Sequence, residues 1–359
     1  KNSWTVVVDL PRDPVTNKRR QKSITVKGTK KDAERELARL INEIETGMYV
    51  EPSQMTLGEY LDQWLDLKKG KVKETSWYES LHRINKLKTL EISKKPLQKI
   101  TPLDIELALQ KITGVGQTRK RGLYVTLKSA FKKAVSLKIL AHNPVSDIDP
   151  PKVEEKEMRV WTKEEAARFL KAAEGHKHYA IVYLALKTGA RLGELLALQW
   201  ENVDFDNKKI YIKQTLAVLP GEIRTQAPKS KRAQRVIPVG ESVINVLKKH
   251  KKINAERSLK SGLGQSPWVF WANDTSRPPH PTTIQRAFGK LIKKAGVPTI
   301  RFHDLRHTHA TFLLEKGVHP KIVSERLGHS SIQMTLDKYS HILPHTQKEA
   351  VKAAEDLGF

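Results

Sequence analysis

The chain contains no cysteine, which rules out disulfides and thiolate-bound metals and fits an intracellular setting. It also lacks any apolar run close to the roughly 20 residues of a spanning helix. The longest such run, "YAIVYLALKTGA", is short and carries a lysine. No secretory leader is legible, because "KNSWTVVVDL" has no charged segment followed by an apolar one. A GxxxxGK[ST] phosphate loop is missing as well; "GVGQTRK" does not match it, which argues against ATP-driven chemistry. Acidic residues are scarce relative to basic ones. The 39 Asp and Glu stand against 65 Lys and Arg, leaving a formal net charge of +26. A surplus of this size selects a polyanionic partner, either nucleic acid or an acidic membrane face. Without a membrane segment, nucleic acid is favoured.

The 359 residues are enough for two or three domains, each with its own core. Residues 1–54 hold two β-rich runs, "SWTVVVDL" and "KSITVKG", joined by the basic turn "PRDPVTNKRR". A helix capped by Thr29 follows, with Asp32 three residues on and an apolar stripe through Ala33, Leu37, Leu40, Ile41 and Ile44. This is a small core, one that another strand from a missing start would enlarge. Residues 55–150 read as wholly helical. "TLGEYLDQWLDLKK" has helical spacing, a second helix begins near Thr75, and "TPLDIELALQKI" opens with Thr101, Pro102 and Asp104 in capping order. "QTRKRGLYVTLKSAFKKAVSLKIL" is amphipathic with a polar face of lysine and arginine. Such a face is often plain solvated surface; its repetition in so basic a chain favours one that tracks phosphates. Residues 151–160, rich in proline and mixed charge, read as a linker to a third part, 161–359.

The third part carries the chemistry. "HYAIVYLALKTGARLGELLALQW" is a buried helix broken at Gly189, with Arg191 where the next helix begins. "KKIYIKQTLA" and "RVIPVG" read as strands flanking the lysine-rich loop "TQAPKSKRAQ". "HDLRHTHATF" places His303 and His307 four apart, the spacing of an HExxH zinc site. "ERLGHSSIQMTLDKYSHIL" supplies a Gly-His turn, a helix and Tyr339, which reads as exposed. Each segment has an ordinary explanation alone: a solvated arginine, a packing histidine, a structural tyrosine. Their occurrence in order within one stretch changes the weighing.

Breaking a phosphodiester without a metal requires guanidinium groups on the non-bridging oxygens, a nucleophile, and an acid for the departing 5′-oxygen. Arginines, lysines, histidines and a tyrosine are all present, whereas no carboxylate cluster for two magnesium ions is evident. The zinc alternative lacks its third ligand. It has Asp304 where a glutamate is needed, and beyond His307 come His309, Thr311 and Phe312 rather than the HExxHxxGxxH extension.

"TGARLGELLALQW", "PKSKRAQRVIP", "HDLRHTHAT" and "LGHSSIQMTLDKYSH" together resemble the catalytic domain of tyrosine recombinases of the phage and conjugative-transposon integrase type. The resemblance extends over the whole chain. It implies a multidomain α+β architecture: a small β-sheet-plus-helix arm-binding domain (1–54), an all-α core-binding domain (55–150), and a mainly α catalytic domain with a small antiparallel sheet. By position, Arg191 and Arg306 are similar to the two arginines that clamp the scissile phosphate. Lys229, or else Lys231, is similar to the general acid. His303 matches the histidine that assists proton transfer at the tyrosine, and His329 the one that hydrogen-bonds the phosphate. Tyr339 looks like the nucleophile, and Glu194 like an acid that orients Arg191. His307 and His309 read as structural or supporting. Thr75, Tyr78, Arg119, Lys120, Arg121, Lys128 and Lys132 are candidate DNA contacts.

The resemblance implies strand exchange through a 3′-phosphotyrosine link that needs no ATP, metal or other cofactor. It implies a tetramer acting on core-type and arm-type sites in double-stranded DNA in the bacterial cytoplasm, integrating or excising a mobile element. An excisionase or a host DNA-bending factor would be a further partner. The tail from about residue 345 is expected to pack on a neighbouring protomer and couple cleavage to assembly. A type IB topoisomerase and a non-catalytic DNA-binding regulator are the competing readings.

Overall fold

The computed structural model describes residues 3–12, 16–154, 158–227, 233–262, 264–272, 277–339 and 355. By its internal contacts the chain divides into two compact units, Lys1–Glu155 and Lys156–Phe359.

The first unit begins with an antiparallel pair, β1 (Ser3–Leu10) and β2 (Arg20–Lys27), in register from Ser3–Lys27 to Leu10–Arg20. Alternation along β1 turns Val6, Val8 and Leu10 to one face, where Val6 and Val8 bury against Ala33 and Leu40 of α1 (Lys30–Glu45). The start of α1 is set by a capping box: Asp32 Oδ2 accepts the Thr29 backbone N–H at 2.9 Å, and Thr29 Oγ1 accepts that of Asp32. The turn residues 13–15 lie outside the described residues.

A second cluster in this unit is built by α2 (Leu57–Lys68), α3 (Glu74–Lys88), α4 (Pro102–Gln110) and α5 (Gln117–Ser136). Thr56 with Glu59, and Thr101 with Asp104, repeat the capping box at α2 and α4. Helix α3 starts one residue before Thr75 and has no side-chain cap. Leu61, Ile84, Ile105 and Phe131 are wholly buried. At roughly 1.5–3 kcal/mol for each such side chain, packing rather than helix propensity holds the bundle. Tyr60 Oη donates to Ala130 O at 2.8 Å, so a buried hydroxyl also ties α2 to α5.

The second unit follows with α6 (Lys163–Ala173), α7 (Tyr179–Thr188), α8 (Leu192–Leu196), β3 (Val203–Asp204), β4 (Lys209–Ile212), β5 (Thr215–Leu219), β6 (Glu222–Gln226), β7 (Arg235–Pro238), α9 (Glu241–Ser261), α10 (Pro281–Ala295), α11 (Asp304–Glu315), α12 (Pro320–Leu327) and α13 (Gln333–Tyr339). Helix α7 is apolar almost all round and lies in the core. Beside it Trp161, Phe169 and Phe288 pack at ring-centroid distances of 4.7 Å (Trp161–Phe169) and 5.4 Å (Phe169–Phe288).

The sheet differs from expectation. "KKIYIKQTLA" is two strands rather than one. β4 pairs with β3 and β7 in a three-stranded antiparallel sheet, while β5 pairs with β6 in a separate hairpin. The hairpin turns at Pro220-Gly221, where Gly221 has φ +74°. That dipeptide is a turn signal legible in the sequence, and it explains why β5 reverses instead of running on. The lysine-rich loop therefore joins β6 to β7. Its residues 228–232 lie outside the described residues, as does all of the C-terminal tail from residue 340 except Glu355.

Candidate active site

The site grows from the break at Gly189. Helix α7 ends there in the left-handed region, φ +66°. A Cβ at this position would lie 2.5 Å from Leu327 Cδ2 and 2.8 Å from His309 Cδ2, so both conformation and space require glycine. The carbonyl at this helix end is put to use: Gly189 O accepts Arg306 Nη1 at 2.9 Å. Two residues on, Arg191 is the N-cap residue of α8.

Glu194, on the first turn of α8, organises two guanidinium groups. Its Oε1 accepts Arg191 Nη1 at 2.8 Å, and its two oxygens accept Arg235 Nη1 and Nη2 at 3.1 and 2.9 Å. It also accepts the Arg191 backbone N–H at 2.9 Å. Burial pushes this carboxyl up, but the hydrogen bonds and charge of Arg235, with the charge of Arg191, more than reverse that and leave it below the usual glutamate range. It is an ionised buried carboxylate. Arg191 Nη2 reaches Gly328 O at 3.4 Å, next to His329.

Arg306 lies on the first turn of α11 and is 3 % exposed. Its Nη2 is buried and has no partner among the described residues. Burial, reinforced by the charge of Arg191 and opposed by Glu194, lowers its pKa to about 9. A guanidinium with one donor unsatisfied and a second cation beside it is a ready site for an anion. Further along α11, His309 is held as a neutral ring. Its Nδ1 lies 2.9 Å from Leu186 O, and Nε2 accepts Arg326 Nε at 3.1 Å; burial, then the charge of Arg326, pushes its pKa down to about 3. Arg326 also donates to Pro238 O and Lys187 O, and Arg235 Nε donates to Arg326 O at 2.7 Å. α7, β7, α11 and α12 are thereby cross-linked around the two arginines.

Tyr339, expected to be exposed, is 1 % exposed. Its ring closes a cluster of Ala310, Leu314, Val323 and Leu327 from α11 and α12. The short polar helix α13 gives no hint of this in its spacing, because the apolar cover comes from other elements. The hydroxyl lies 2.5 Å from His307 Nδ1, and burial raises the phenol pKa while Arg306 opposes the rise. His303, at the N-cap of α11, is exposed, and its ring meets that of His307 edge-on at 5.2 Å. His307, read from the sequence as structural or supporting, is thus the histidine at the tyrosine hydroxyl. Asp304, in the position of the protease glutamate, is held by Arg301 through its backbone N–H and guanidinium. His329 is buried, with Nδ1 at 2.8 Å from Thr335 Oγ1. Lys229 and Lys231 lie outside the described residues.

Arg235 and Arg326 are parts of the site that the sequence reading did not single out, and His307 was read there only as structural or supporting. Arg235 left one weak signal, a charged residue inside the strand "RVIP"; Arg326 left none. In the helical part of the first unit, Arg119, Arg121, Lys128 and Lys132 are exposed along α5, and Thr75, Tyr78 and Lys120 are half-buried. A cleft of about 390 Å³ between α2 and α5 is lined by Lys68, Lys71, Lys132 and Lys133, with the Lys68 ammonium 4.2 Å from the Trp64 ring centroid.

The pattern described as the phage integrase family matches residues 159–345, and that of the phage integrase N-terminal SAM-like domain matches residues 56–112. A "tyrosine recombinase XerC-like" protein of Caldanaerobacter subterraneus subsp. tengcongensis is 32% identical, covering 92% of this chain and 90% of its own. The ICEBs1 integrase of Bacillus subtilis (strain 168) is 26% identical over 99% of this chain and 97% of its own. Among solved structures, the Tn1549 transposon integrase in complex with transposon right end DNA superposes with a TM-score of 0.71 at 23% identity, covering 85% of this chain and 99% of that one. A lambda integrase tetramer bound to a Holliday junction gives 0.61 at 22% identity, over 94% and 92%. The site geometry, the fold and these similarities converge on one assignment: the chain belongs to the phage integrase family of tyrosine recombinases, enzymes that break and rejoin DNA at specific sites.

Proposed function

We propose that the chain integrates or excises a mobile element by cutting each strand with Tyr339 and resealing it to a new partner. Arg191 and Arg306 grip the non-bridging oxygens of the scissile phosphate, with Glu194 orienting Arg191. Tyr339 Oη attacks phosphorus to leave a 3′-phosphotyrosine. His329 hydrogen-bonds the phosphate. Lys229, or Lys231 beside it, protonates the departing 5′-oxygen. The ester retains the energy of the broken bond, so a 5′-hydroxyl from a second duplex can reverse the step without ATP.

The observation that carries this reading is the buried, unpartnered Nη2 of Arg306 beside the charge of Arg191, within electrostatic reach of Tyr339. A phosphate placed there satisfies the orphan donor, which no group among the described residues does, and adds negative charge beside the two arginines. Arg306 and Tyr339 are both closed to solvent, so a duplex must open this cover to reach them. The exposed basic residues of α5 and the lysine-lined cleft support a role for residues 55–150 in holding core-type DNA. The small unit of residues 1–54 is assigned to arm-type sites. Assembly as a tetramer follows the arrangement recorded for the lambda integrase bound to a Holliday junction. An excisionase or a host DNA-bending factor is assigned the control of direction.

The test is a nicked duplex spanning an end of the element that carries the gene. Loss of the small fragment beyond the nick should trap a covalent protein–DNA adduct. Tyr339→Phe should form none; an adduct of normal yield in that variant would overturn the assignment.

A further inference from the structure

We propose that His307 is the general base that takes the proton from Tyr339. The inference rests on Tyr339 being the nucleophile and names the group that activates it.

A phenol is a poor nucleophile while protonated, so its proton must leave as the oxygen–phosphorus bond forms. The ring in contact with the reacting atom is that of His307, whose Nδ1 lies 2.5 Å from Tyr339 Oη. That distance is within the range for proton transfer by a positioned base. His307 sits directly after Arg306 on α11, so base and phosphate clamp are carried by one rigid helical turn. His303, the residue that the family pattern places in a proton-transfer role, is exposed and meets the edge of the His307 ring. That contact places His303 next to the base. Other charged groups around the pair include Asp304, which interacts electrostatically with both His307 and Tyr339, and Arg306, whose charge favours the phenolate. Arg301 neutralises Asp304.

The step balances simply. With the His307 proton on Nε2, Nδ1 accepts the Tyr339 Oη proton and the ring becomes a cation. The Oη–P bond forms, the P–O5′ bond breaks, and the 5′-oxygen takes its proton from the acid on the β6–β7 loop. In the resealing step a 5′-hydroxyl gives its proton back to the loop group and forms the P–O5′ bond, the Oη–P bond breaks, and His307 returns its proton to Oη.

The test is single-turnover cleavage of the nicked duplex by the full chain between pH 5.5 and 9. His307→Ala and His307→Asn are compared with wild type, with folding checked by thermal melting and DNA binding measured separately. Asparagine keeps a hydrogen-bonding group near the position of Nδ1 but cannot act as a base. We expect both variants to cleave about 10²-fold or more slowly with DNA affinity preserved. The rise of rate with pH across the histidine range should vanish, and added imidazole should partly restore the alanine variant. A wild-type rate in His307→Asn, or a uniform slowing that leaves the pH limb intact, overturns the proposal; if His307→Ala does not fold, His307→Asn decides alone. An adduct in Tyr339→Phe would instead sink the assignment of the nucleophile.

Discussion

Replacing Glu194 by glutamine changes one oxygen for one NH₂ group and removes one charge, yet it should damage both stability and cleavage. The Glu194 and Arg235 side chains are 2% and 6% exposed, so their ion pair is buried. Breaking such a pair by neutralising one partner costs about 3–5 kcal/mol, because the other charge is left uncompensated. The Arg191 side chain is 36% exposed, and solvent screening limits its share to about 0–1 kcal/mol. For a unit of this size each kcal/mol lowers the melting temperature by about 2–4 °C, so Glu194→Gln should melt at least about 6 °C below wild type at pH 7. The pH dependence has a definite sign. A carboxyl whose folded pKa is depressed contributes stability above its ordinary value of 4.5 and loses it as pH falls through the lower folded value. The gap between wild type and variant should therefore narrow below pH 4.5. Cleavage should fall about 10–100-fold, corresponding to a charge-assisted hydrogen bond of about 1.5–3 kcal/mol that no longer positions Arg191. Melting curves and adduct formation on nicked DNA measure the two effects. Melting within 1 °C of wild type, together with cleavage within twofold, would refute the reasoning.

Two further substitutions probe the same frame. Gly189→Ala should cost about 1–2 kcal/mol for the left-handed backbone alone, before the contacts with Leu327 and His309 are counted. Because it also displaces the carbonyl that holds Arg306, its cleavage rate should drop further than its melting temperature suggests; normal cleavage in a destabilised protein would separate the carbonyl from the chemistry. Lys229→Ala and Lys231→Ala distinguish the two candidate acids. The variant lacking the acid should cleave an ordinary duplex about 10²–10⁴-fold more slowly, and recover on a duplex with sulfur at the scissile 5′ position, since a thiolate leaves without being protonated. Recovery of neither would remove the acid from this loop.

Several local features were readable without coordinates because their causes are local. The capping boxes at Thr29 and Thr101 depend on residues three apart and appear where the spacing predicts them. The break at Gly189 and the new helix after Arg191 follow from one glycine in a long apolar stretch. The turn at Pro220-Gly221, which reverses β5 into β6, was equally local; the break between β4 and β5 at Lys213-Gln214 carries no such signal. The residue types that metal-free phosphodiester cleavage calls for, arginine, tyrosine and histidine, could be picked out in the same way, while their roles came from the resemblance.

What the sequence by itself determined is the inventory: a basic chain without cysteine, helices with defined starts, and an ordered series of motifs that places it in its family. What only the tertiary structure decided is how that inventory is wired. Arg235 stands 41 residues from Glu194 and His307 32 residues from Tyr339, and no periodicity along the chain encodes such meetings. They arise because α7, α8, β7, α11 and α12 pack around one buried carboxylate and one glycine carbonyl. There, desolvation makes every unpaired charge costly and each surviving hydrogen bond directional. The same packing buries Tyr339 and leaves one donor of Arg306 without a partner among the described residues, and these are the features that a phosphate would meet.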